Sequence, residues 1–223
     1  MKEDCSTNTR FILLHATKYG ERSLVLHTLS KEYGRCAFFL KSATGNKSRT
    51  TSLISPLNIL EASVNQGKGG LPAASGLTTS VPLPGLRDSL YKSSISMYIA
   101  ELLFRAIKEG ANEPGLFDWC EQKILLLNAL RGDFSNFHLM FTLELSATLG
   151  FRPEFRDLEA FIAPENHKVA RELLQIPFGQ ALLLPMSGSV RSSLVESFIS
   201  YIEIHLEYPL NLRSIAVLKE LFQ

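Results

Sequence analysis

Two hydrophobic rhythms divide the chain. Over residues 1–82 apolar and polar positions alternate in short runs separated by glycine. In "SLVLHTLS" (23–30), Leu24, Leu26 and Thr28 share one face and Val25, His27 and Leu29 the other, which is the period of a strand. "RFILLHAT" (10–17), "GRCAFFLKSA" (34–43), "SLISPLNILEASV" (52–64, with Pro56 marking an edge or a bulge) and "AASGLTTSV" (73–81) read as further strands. Gly20, Gly34, Gly45 and the "QGKGG" run (66–70) fall between them as turns. Alternation in 34–43 predicts that one of Phe38 and Phe39 is core. Five short strands must close or cover their edges, and a barrel of the OB type does so.

Pro82 and Pro84 end this region, and a helical period follows. Leu86, Leu90, Tyr91, Ile95, Tyr98, Ile99, Leu102, Leu103, Ala106 and Ile107 recur at threes and fours before Gly110. A second helix is predicted from Leu116 to Arg131. A third is predicted from an Asp133 N-cap to Gly150. Residues 151–168 form a connector and 165–175 a short helix. Residues 176–189 read as a loop, and helices are expected over 190–208 and 212–222. The fold class is therefore α+β: a five-stranded OB-type barrel at 1–82, then an all-α helical bundle at 83–223.

Composition adds little until charge is mapped. The 223 residues carry a net charge of +1, and 45% of them are hydrophobic. Residues 1–80 hold ten Lys/Arg against five Asp/Glu, and the remainder thirteen against seventeen. The first part is thus basic and fits an anionic partner. No apolar run is long enough for a membrane span, and "MKEDCSTNTR" lacks a signal core, so a cytoplasmic protein is expected. Cys5, Cys36 and Cys120 form no CxxC or CxxH pair, which predicts unpaired thiols and no metal. GxSxG, HExxH and GxGxxG are missing, and "GNKS" (45–48) is a poor phosphate loop, so an enzyme is not expected and no cofactor is implied.

What remains is electrostatics and stacking. Lys18, Arg22, Arg35, Lys41, Lys47, Arg49 and Lys68 lie at or beside the predicted turns and are the candidate DNA contacts. Such a groove follows a phosphate backbone, and Tyr19, Tyr33, Phe38 and Phe39 offer stacking faces. For Tyr19, packing over its turn is the expected role.

The succession "KYGERSLVLHTLSKEYGR", "KSATGNKSR", "SPLNILEASVNQGKGGL", "PGLRDSLYKSSISMYIAELLFRAI", "PGLFDW", "FHLMFTLELSATLGFRPEF" and "YIEIHLEYPLNLRSIAVLKELF" resembles the RecO family of bacterial recombination mediators over nearly the whole chain. The resemblance implies an N-terminal OB barrel and a helical domain. It implies binding to single- and double-stranded DNA and annealing of complementary strands. It also implies work with RecR and the single-stranded DNA-binding protein SSB to load RecA near the nucleoid. Many members carry a four-cysteine zinc module after the "LGFRPEF" position; here "RDLEAF" follows without cysteine, as in a zinc-free branch. The SSB C-terminal tail is expected on the helical domain, with Arg105, Lys108 and Arg131 as candidate contacts. Two alternatives stand beside this reading: a scaffold for RecR and SSB with little DNA binding of its own, and a nuclease, for which no carboxylate cluster is evident.

Overall fold

A computed structural model describes residues 6–20, 23–41, 52–65 and 70–222. Five strands, β1 (Ser6–Tyr19), β2 (Ser23–Ser30), β3 (Gly34–Lys41), β4 (Ile59–Asn65) and β5 (Ala73–Val81), close into a barrel in the order β1-β2-β3-β5-β4. All neighbours are antiparallel except β3 and β5, which meet in parallel at Phe39↔Ala73 and Leu40↔Ala74. Pro56 lies in a turn before β4 rather than in a strand. A register shift in β1 between Leu13 and His15 bends the strand, as a bulge does. Phe11, Leu13, Leu26, Phe38, Leu40, Leu60, Ala62, Val64 and Ala74 fill the interior, with Leu24 and Cys36 packed against them. Phe38 is thus the core member of its pair, and Phe39 is half-buried.

Eight α-helices follow among the described residues: α1 (Leu90–Ala106), α2 (Leu116–Ala129), α3 (Phe137–Thr148), α4 (Phe155–Leu158), α5 (His167–Gln175), α6 (Phe178–Leu182), α7 (Gly188–Leu206) and α8 (Ser214–Leu221). The chain forms two compact units. The first is Met1–Pro84 with Leu103–Leu125, and the second is Gly85–Leu102 with Leu126–Gln223. The end of α1 and most of α2, expected with the helices, therefore pack as part of the barrel unit.

Two local expectations differ. Asp133 does not cap α3. It sits in the left-handed region at φ 54°, which short polar residues tolerate, and Asn136 holds the N-cap position. Residues 176–189 are not all loop, because Pro177 with its preset φ precedes the five-residue α6.

In the second unit α3 is buried almost all round. The Tyr98 hydroxyl lies 2.7 Å from Thr142 Oγ1, which itself donates to the His138 carbonyl at 2.8 Å, so Tyr98 is the donor. Glu101 accepts from the backbone N–H groups of Arg213 and Ser214 at 3.1 and 2.8 Å, capping α8 from another helix. Cys36 and Cys120 are free thiols, and full burial pushes the Cys120 thiol far up, leaving it protonated and inert. Among the described residues no helix is long and apolar enough to cross a membrane, and no three potential ligands gather to hold a metal.

Candidate nucleic-acid interface

The pleat fixes which side chains of β1, β2 and β3 face outward. Leu24, Leu26, Phe38 and Leu40 point into the barrel, so their alternates point out. The registers place those alternates in three rungs: Tyr19, Ser23 and Lys41; then Thr17, Val25, Phe39 and Ala73; then His15, His27 and Ala37.

The third rung is partly covered within the first unit: Ala37 is buried and His27 half-buried, while His15 stays exposed. The Phe104 ring lies 5.5 Å from His15 and 5.2 Å from His27, and the Arg35 guanidinium sits 4.7 Å above it. Arg35 N–H donates to the Ala111 carbonyl at 2.8 Å, and Gly110 N–H donates to the Arg35 carbonyl at 2.8 Å. Gly34 makes this approach possible. It has φ 62°, and a Cβ there would stand 2.2 Å from the Ala111 oxygen. Burial, then the neighbouring Arg35 and His15, hold His27 below the ordinary histidine pKa.

Arg35 is therefore a correction to the expected DNA contacts. It is 3% exposed, donates through Nη1 to the Cys36 carbonyl at 3.1 Å, and its Nε is buried without a partner. Sequence places it beside a turn glycine, where arginines are usually solvated; in the structure Phe104 and the backbone of 110–111 lie against it. Lys18 and Lys41 are exposed, at one end of the sheet. Lys41 shares the outer rung with Tyr19, whereas Lys18 pairs with Leu24 on the inward parity and emerges at the barrel rim. Arg22, Lys47, Arg49 and Lys68 lie outside the described residues.

Two ion pairs join the barrel to α2: Arg10 of β1 with Glu121, and Lys31 of the β2–β3 turn with Asp118 at 2.8 Å. They reduce the cations offered to solvent on this unit. The expected tail contacts are divided. Arg105 and Lys108 belong to the first unit and Arg131 to the second, all three exposed.

The second unit holds a cationic cleft that charge counting missed. Arg191 is buried, donating through Nε to Asn136 Oδ1 at 2.8 Å, through Nη1 to the Phe222 carbonyl at 3.3 Å and through Nη2 to the Met186 carbonyl at 3.2 Å. It lines a cleft of about 640 Å³ with Tyr91, Phe134, Met186 and Phe222. Nearby, Lys92 is buried and donates to the carbonyls of Asn128 and Leu130 at the end of α2.

Residues 1–79 match the family model for the Recombination protein O N terminal, and residues 87–160 that for the Recombination protein O C terminal. The chain is 30% identical to the DNA repair protein RecO of Phocaeicola vulgatus over 95% of this chain and 97% of that protein. It is 27% identical to that of Bacteroides fragilis over 95% and 97%. It is 25% identical to that of Flavobacterium johnsoniae over 96% and 98%.

Proposed function

From the premise that this chain belongs to the Recombination protein O family, we propose that it is a DNA repair and recombination mediator. It binds and anneals single-stranded DNA, also holds duplex DNA, remodels SSB, and helps load RecA together with RecR. The observation that carries this reading is the near full-length match to proteins named DNA repair protein RecO. Mechanistically, the barrel neutralises the phosphate repulsion between two strands as they meet. Lys18 and Lys41 serve this role, joined by Arg22, Lys47, Arg49 and Lys68. The chain works in the cytoplasm at the nucleoid and carries out no bond-breaking chemistry of its own.

The SSB tail, acidic with an apolar end in this family's partners, docks on the helices. The Arg191 cleft supports this, since its aromatic walls suit an apolar side chain and its guanidinium a carboxylate. The exposed cations Arg105, Lys108 and Arg131 are the competing contacts. A second reading is favoured by the burial of Arg35, which removes one expected phosphate contact. In that reading the chain is a scaffold for RecR and SSB with little DNA binding of its own.

The test is annealing of two complementary fluorescent strands coated with SSB, using the full chain and a variant with Lys41, Lys47 and Arg49 changed to alanine. Acceleration that the variant loses places the activity on the barrel. No acceleration, with RecR or SSB binding intact, selects the scaffold.

A further inference from the structure

The open end of the outer strand face presents aromatic surface as well as charge. Tyr19 is 65% exposed, although its turn offers a hairpin to pack on. Its ring meets Phe39 edge-on at 5.9 Å between centroids, and Phe39 is itself half-buried. On the other side of Phe39 the paired β5 residue is Ala73, exposed and too small to cover a ring, and Leu71 beyond it is 44% exposed. A phenol ring left in water forgoes the burial that aromatic side chains usually gain. Lys41 lies on the same rung as Tyr19, with Ser23 between them. Two strand spacings separate rung ends by roughly 10 Å. The rung thus sets a π-face and an ammonium apart on one surface.

We propose that Tyr19, supported by Phe39, is a stacking platform for unpaired nucleobases, and that it sets the preference of this face for single strands. The inference rests on the DNA-binding reading above and adds to it. In a duplex the base faces are already stacked on one another, so a ring on the protein gains nothing from them. In a single strand each base has a free π-face, and stacking on an aromatic is insensitive to sequence. Lys41 acts on the backbone of either form, because phosphate charge is common to both. The ring therefore discriminates and the lysine does not.

The experiment compares binding of a fluorescent oligothymidylate and of a hairpin duplex to the full chain at several salt concentrations. The proteins are wild type, Tyr19→Ala, Tyr19→Trp and Lys41→Ala. Tyr19→Ala is expected to weaken single-strand binding between roughly 5- and 100-fold. Its salt slope should stay unchanged and its duplex affinity within about twofold, while Tyr19→Trp retains single-strand binding. Lys41→Ala is expected to weaken both and to flatten the single-strand slope by about 0.7. A strand carrying 2-aminopurine should lose its protein-induced quenching with Tyr19→Ala. Equal weakening of both DNA forms by Tyr19→Ala, a fall in its salt slope, or no effect at all overturns the platform. Failure of the wild type to bind either DNA overturns the DNA-binding reading itself, which is a different result.

Discussion

The two ends of one strand face have opposite fates. At one end, His27 and Arg35 point outward from the barrel and are covered, His27 half-buried against Phe104 and Arg35 buried beneath Phe104 and bonded to the backbone of 110–111. At the other, Tyr19 and Lys41 point the same way and meet water. The strands, the pleat and the register are shared. A cation on the outer side of a barrel therefore reaches water only where no other segment covers it. Arg35 and Lys41, six positions apart on the same face of β3, make the point within one strand.

The comparison breaks most severely at Gly34. Gly34→Ala forces a Cβ into the Ala111 carbonyl and a side chain into the left-handed region. It is expected to cost about 3 kcal/mol or more, lowering the thermal midpoint by about 6–12 °C. Calorimetry checks this, and a shift within experimental error would mean the segment at 111 is free to move away. Phe104→Ala uncovers His27 and Arg35 instead. A loss of about 2–3 kcal/mol is expected for a half-buried ring, from denaturant melts. Removing the ring relieves the burial that depresses His27, so its pKa should rise toward the ordinary value when followed by NMR.

Acid sharpens the comparison by setting His27 against His138, which is buried in the second unit. Burial, with Arg191 nearby, pushes His138 down to about 3. Both histidines are depressed, so the unfolded chain takes up more protons than the folded one once the pH falls below 6.5. Stability is complete above that value and declines as the pH drops toward the folded pKa. For His138 the decline amounts to about 2 kcal/mol at pH 5. His138→Phe should flatten the pH 6.5–5 slope of chemical-denaturation stability. A slope that persists would assign the sensitivity to His27. The smallest effect is expected at Lys18. Lys18→Ala should leave the melting curve within about 0.5 kcal/mol of wild type and reduce the single-strand salt slope by about 0.7. An unchanged slope would remove Lys18 from the phosphate path.

Much of the fold is legible in particular residues. Leu24 and Leu26 alternating with Val25 and His27 separate the two faces of β2, and the structure turns the Leu24 and Leu26 face inward. The change to a threefold and fourfold apolar period after Pro84 announces α1, and Gly150 ends the helical stretch with φ 95°. Short elements without a period were not legible. The helix α6 holds only five residues, one of them Gly179. Asp133 has the right chemistry for a cap, yet helix α3 starts later, at Phe137. The site was legible as a set of lysines and rings on turns, but not as a surface. Tyr19 reads as a ring folded over its hairpin, and it is exposed.

The sequence by itself determined the order of the strands and long helices, the alternation that separates the two faces of β2 and the basic character of the first part. Each of these follows from interactions local to a strand or helix, or from simple charge. Tertiary structure alone decided which cations face water. Arg35 lies under Phe104, Arg191 donates to Asn136 Oδ1 and the Phe222 carbonyl as well as to nearby Met186, Lys92 donates to carbonyls at 128 and 130, and Lys41 stays free of cover. The reason is that burial of a long side chain depends on what packs over it. For Arg35 that cover comes from residues about seventy positions later in the chain, beyond the reach of any local pattern.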